Sequence, residues 1–322
     1  MHRISATLNR HVTNAAHDTA TQIDSAAPAQ TGPPPTRIAP TAEPTLREFV
    51  ALVVLVAMSS MAMLPMWLPA VDFSFAHSPR MRGLSIGTLE FFRTIALSIN
   101  AGQGLILGAA GLWLAAWIGM NPFRLLTLRS WDDLRPQLRP LLTRCAGMGG
   151  VLFLITTLVA VPQLIFLGLN PPHGVNAGAL SKHNAVVGLM TQMVSPKGAL
   201  ALIFGAPVFE EMEFRLFLLS LIAWLSTKVG ASRDGKPSRA GLWCAVIVSG
   251  LVFGLGHVVS SQSVGWWRPW YVLAFTDPRS YVGMVLGYVY WRWGLESSIG
   301  AHCVLNVLVV GIAAASVLVS KL

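Results

Sequence analysis

Seven polar side chains carry the chemistry this sequence could perform: Glu210, Glu211, Glu213 and Arg215 within six positions, then His257, His302 and Asn306. Each lies in an otherwise apolar stretch. A carboxylate beside imidazoles is the material of general acid-base work, because both groups can take and return a proton near neutral pH. Helix geometry separates the roles of the four clustered charges. With about 100° between successive residues, Glu211 and Arg215 form an i,i+4 pair about 40° apart, acid on the N-terminal side, the favourable order for an ion pair. Glu210 falls about 140° from Arg215, lacks that partner, and is the carboxylate available as a base. Phe253 and His257 share one helix face, so the ring can floor the imidazole, and His302 and Asn306 share another and can point at one site.

The elements that must position these residues are membrane spans. The chain has 322 residues, 53% hydrophobic and 11% charged, against roughly 25% charged in an average soluble domain. That excludes a soluble globule, and the long, non-alternating apolar runs exclude a β-barrel. The expected fold is therefore all-α, a polytopic integral membrane helix bundle of about seven to eight transmembrane helices. Candidate spans are 47–69, 95–119, 147–169, 198–227, 240–260, 280–293 and 296–319. Stretches 184–197 and 264–278 read as interfacial or re-entrant pieces, and either could raise the count. Between Lys197 and Lys228 the only charges are the four named above. At about 2.5–3.5 kcal/mol each at a helix centre, they cost about 10 kcal/mol before pairing. A polar seam without chemistry is the plain alternative. Ionisable residues contributed by three separate spans instead mark a functional interior.

The net charge of +9 is largely a matter of topology. Loop 120–146 carries Arg124, Arg129, Arg135, Arg139 and Arg144, and loop 228–239 carries Lys228, Arg233, Lys236 and Arg239. Both read as cytoplasmic, two spans apart, which places the N-terminus inside as well. The expected location is the cell (inner) membrane, multi-pass, and no nucleic-acid partner is expected. Residues 1–45, rich in Ala, Thr and Pro, read as a disordered tail, with no charged and apolar pair of regions that would make a cleaved signal peptide. Residues 46–197 form N-terminal transmembrane helices, and 198–322 hold the polar cluster. Cys145, Cys244 and Cys303 have no metal-site or disulfide spacing.

Glu210-Glu211-Met212-Glu213-Phe214-Arg215 is similar to an EExxxR motif, Phe253 to His257 to FxxxH, and His302 to Asn306 to HxxxN. Together they resemble the CPBP family of intramembrane proteases, which includes CAAX prenyl endopeptidases and bacteriocin-processing and abortive-infection proteins. The resemblance covers 198–310, making 198–322 a CPBP-like protease core. It implies hydrolysis of a peptide bond in a membrane-associated peptide or protein substrate at the lipid bilayer. Under it Glu210 is the base, His257 its partner, His302 and Asn306 the oxyanion side, with Glu211, Arg215 and Phe253 supporting. Glu210, His257 and His302 could ligate Zn²⁺ with a position left open, or the carboxylate and imidazoles could work without metal. No His-Glu-x-x-His helix is present.

Two other readings compete. Gly83-Leu84-Ser85-Ile86-Gly87 matches G-x-S-x-G, but that motif needs a strand-to-helix elbow and here sits between spans. A non-catalytic scaffold or immunity protein would use the same cluster for structure. Gly250 with Gly254 and Gly283 with Gly287 read as close helix packing. Straight spans raise one conflict: His257 falls near the outer end of its helix and His302 about 9 Å from the inner end of its own, too far apart to meet unless helices are tilted or broken, or 264–278 re-enters.

Overall fold

The computed structural model describes residues 44–77, 86–128, 130–169, 191, 193–230, 236–262 and 277–319. The expectation for the tail, most of the Gly83–Gly87 motif, and the greater part of 184–197 and 264–278 lie outside these residues. Every regular element among the described residues is helical, in the order α1 (Leu46–His77), α2 (Ile86–Trp117), a 3-10 turn (Leu125–Thr127), α3 (Trp131–Leu169), α4 (196–230), α5 (Arg239–Gln262), α6 (Pro278–Trp293) and α7 (Leu295–Val319). The chain begins its first helix with a capping box, in which Glu48 Oε2 accepts from the Thr45 N–H at 2.8 Å and Thr45 Oγ1 from the Glu48 N–H at 3.3 Å.

Among the described residues, five helices are long and apolar enough to cross a bilayer: Leu46–Leu64, Ser98–Trp117, Trp131–Val159, Arg239–His257 and Leu295–Val319. Only 17% to 33% of each is buried, so most of their apolar side chains face outward, Met58, Ile106, Leu158 and Ile312 among them. In water such a girdle would be an association surface, whereas lipid is its natural solvent. The protein is a helical, multi-pass membrane bundle. The other two expected spans are helical too. α6, at 16 residues, is about 24 Å long against a hydrocarbon core of about 30 Å.

Residues 196–230 depart most from a plain span. Ser195 caps the start, its Oγ accepting from the Gly198 N–H at 3.0 Å, with Pro196 at the first helical position. The helix then widens into π-helix at Ala201–Gly205 and again at Met212–Leu219, on either side of the α-helical Ala206–Glu211. Proline accounts for the first widening. The Ala206 N–H bonds back to the Ala201 carbonyl, so the Leu202 carbonyl would need residue 207 as its donor, and Pro207 has no N–H. Asn306 supplies the missing donor, its Nδ2 lying 2.6 Å from the Leu202 oxygen.

Glycines set the closest helix approach. Gly250 lies against Met284 and Gly254 against Ser280, where an added Cβ would come within 2.6 Å and 2.9 Å of the facing backbone nitrogens. α5 and α6 therefore run antiparallel at backbone contact. The α6–α7 corner is a single residue, Gly294, at φ +89°, a value that disfavours any side chain. The segment before α3 pins this corner: the Leu295 N–H donates to the Pro122 carbonyl at 2.7 Å, and Glu296 Oε1 accepts from the Leu125 N–H at 2.9 Å. One apolar core joins Leu52, Leu112, Met212, Leu216, Leu219 and Tyr290, and a second joins Leu152, Phe253, Val282, Leu286, Ala301 and Leu305.

Candidate active site

Three helices bring the polar residues together. Glu210 lies in the last turn of the α-helical piece between the two π segments, and its carboxylate stands between two imidazoles: Oε1 is 3.6 Å from His257 Nε2 and Oε2 is 3.7 Å from His302 Nε2. It is the half-buried member of the acidic pair, at 21% exposure against 0% for Glu211. That difference matters because a base must reach solvent or substrate.

Glu211 is the buried brace. Its Oε1 lies 3.0 Å from His302 Nδ1, its Oε2 accepts from Ser298 Oγ, and the same oxygen lies 3.3 Å from Arg215 Nε. The i,i+4 pair is therefore formed, fully buried, with a third and fourth partner. With Nδ1–H of His302 donated to Glu211, the Nε2 lone pair faces Glu210. His257 is fixed the same way, Nδ1 lying 3.0 Å from the Phe253 carbonyl, again turning Nε2 toward Glu210.

Phe253 is the common floor. Its ring centroid lies 4.7 Å from that of His257 and 6.2 Å from that of His302, both edge-on, and the Arg215 guanidinium sits 4.4 Å over it. This last contact offsets part of the cost of burying the cation. The conflict over His257 and His302 is resolved here. Gly254 levels with Ser280, and the Leu286 carbonyl lies 3.1 Å from Ser298 Oγ, which puts His302 roughly five residues, or about 7–8 Å, below His257. Folding the His257 ring back onto Phe253 closes the rest. Straight spans with level inner ends would keep them apart, but the same contacts start α7 about six residues, or about 9 Å, above the start of α5.

Residues 194–308 match the family model "Type II CAAX prenyl endopeptidase Rce1-like". The match covers about a third of the chain and agrees with the CPBP resemblance carried by the three motifs. No curated protein and no solved structure matches the chain. The Rce1-like segment supports an intramembrane endopeptidase in general, acting on a membrane-associated substrate. Every residue of the constellation lies within it.

Asn306 does not touch the Glu210 pair; its amide is held by the Leu202 carbonyl. Two side chains that hold members of the acidic cluster were missed in the sequence, Ser298 and Gln103. Ser298 sits four residues before His302, on the Ser298-His302-Asn306 stripe, so its spacing was a usable signal. Glu213 accepts from Gln103 Nε2 of α2 at 2.7 Å, a contact across 110 residues that no local pattern reveals. Among the described residues no group of three or more His, Cys, Asp or Glu is gathered to hold a metal ion as placed. The donor set itself suits zinc chemically: two Nε2 lone pairs and a carboxylate, with both Nδ1 atoms anchored on acceptors, as ligating histidines usually are.

Proposed function

We propose that the chain hydrolyses a peptide bond of a membrane-associated peptide or protein, with Glu210 as general base. The observation that carries this reading is the Glu210 carboxylate held between His257 and His302, with His302 braced from behind by Glu211. In the proposed reaction Glu210 takes a proton from water as its oxygen attacks the scissile carbonyl. The oxyanion of the tetrahedral intermediate is stabilised by His302 in its imidazolium form, donating Nε2–H. Glu211 holds that imidazole in orientation from behind, as a buried carboxylate does behind a catalytic histidine. Asn306, with one amide hydrogen on Leu202, keeps a second for the same oxyanion. His257 orients Glu210 and the water. Glu210 then returns the proton to the departing amine, and the C–N bond breaks.

Zn²⁺, when bound, would be held by Glu210, His257 and His302 and would supply a water of lowered pKa. Elemental analysis of the purified protein, with activity before and after chelation, separates this route from a metal-free Glu/His one. The proposed orientation keeps 120–146 and 228–239 on the cytoplasmic side of the inner membrane, on the strength of their Lys and Arg content. Labelling of single cysteines introduced into each loop tests it.

The deciding experiment compares membrane proteomes with wild-type protein and Glu210→Ala, followed by cleavage of the identified substrate with purified protein. Loss of cleavage in Glu210→Ala and His257→Ala is expected. Unchanged cleavage in both would return the cluster to a scaffold role.

A further inference from the structure

Away from the Glu210 cluster, the structure holds a shallow, open cleft of about 570 Å³ between the exposed side of α3 and the end of α6, lined by Arg139, Pro140, Arg144, Gly147, Met148 and Trp293. On α3 these residues fall in two i,i+4 rows, 140–144–148 and 139–143–147, which together span about half of the helix circumference and set Arg139 and Arg144 at its two sides. That face is graded. Its start is cationic, and from Cys145 onward α3 is apolar. The change from arginine to apolar residues marks the level at which α3 enters the bilayer. Trp293, whose ring has the Arg144 guanidinium 5.9 Å above its centroid, stands at the depth where interfacial tryptophans collect.

The charge in the cleft is not neutralised by the protein. Among the described residues no carboxylate lies within ion-pair distance of Arg139 or Arg144. Burial lowers the Arg124 guanidinium nearby; Glu296 opposes this, and Arg292 and Arg144 add to it. Below them, Gly147 leaves open space: a Cβ there would meet nothing within 4 Å.

We propose that this cleft binds an anionic phospholipid, its phosphate between Arg139 and Arg144 and its acyl chain along Gly147, Met148 and the Trp293 ring. Planar guanidinium groups match phosphate oxygens two at a time, and basic clefts between spans at the membrane surface are the usual receptors for such headgroups. The apolar half argues for a lipid over free phosphate, which would leave Gly147 and Met148 without a partner. Nothing in this inference depends on the endopeptidase reading.

The test uses the purified full chain in detergent, with native mass spectrometry counting retained phosphatidylglycerol against phosphatidylcholine. Wild type is expected to retain phosphatidylglycerol selectively. Arg139→Ala with Arg144→Ala should weaken retention about thirtyfold, at roughly one arginine's surface contribution each. Gly147→Trp, which fills the cleft without altering charge, should weaken it about tenfold or more. Arg239→Ala, on α5 outside the cleft, should change nothing. Equal retention of the two lipids, undiminished retention in either cleft variant, loss in Arg239→Ala, or displacement by inorganic phosphate would each overturn the proposal.

Discussion

Glu211 and Glu210 are neighbours in sequence with opposite duties, and their surroundings explain the division. Glu211 is enclosed and meets His302, Ser298 and Arg215, while Glu210 keeps an exposed edge. Glu210→Gln should therefore lower cleavage by about 10²–10⁴, the range of a lost general base, with little change in the unfolding midpoint. Arg215→Met should do the reverse. Removing one partner of a buried pair costs about 3–5 kcal/mol, so equilibrium unfolding in detergent should detect a large loss of stability. Ser298→Ala removes one hydrogen bond to a charged group, about 1.5–3 kcal/mol, and should fall between them. The Glu211–Arg215 pair was legible in the sequence because it obeys i,i+4 spacing. Ser298 obeys the same spacing but is a small neutral residue in a span, and such residues are too common there to stand out.

The departure of α4 from regular helix is the feature that spacing alone could not give. Expected as one straight span over 198–227, it contains two π segments, and the angles assumed around Glu210 hold only in the short α-helical piece between them. Pro207 was the visible cause, and its consequence appears only when the donor lost to Leu202 is traced to Asn306. The two residues should therefore be coupled. Asn306→Ala alone leaves a partly buried carbonyl without its donor, at about 1 kcal/mol. Pro207→Ala restores a backbone N–H for that carbonyl. In a double-mutant cycle read by unfolding, Asn306→Ala should cost less in the Pro207→Ala background. Equal costs in the two backgrounds would show that the proline and the amide act independently.

Across the whole molecule the Rce1-like segment is not self-contained. Gln103 of α2 reaches Glu213, Ser59 of α1 donates to the Gly205 carbonyl at 2.8 Å, and the Pro122–Leu125 stretch pins the α6–α7 corner. None of these long-range contacts was legible in the sequence, where residues 46–197 offered only apolar runs. Glu296→Ala should loosen the corner, and amide exchange at Leu125 should accelerate while exchange in α2 stays constant. The corner also has no slack. α6 is seated on α5 by glycine contacts, and one residue, Gly294, separates it from α7. An extra residue inserted after Gly294 would swing His302 through about 100°, away from Glu210 and Glu211. The distance in sequence from Pro278 to Asn306 thus acts as a ruler: variants of this protein that remain active should carry no length change between these two residues.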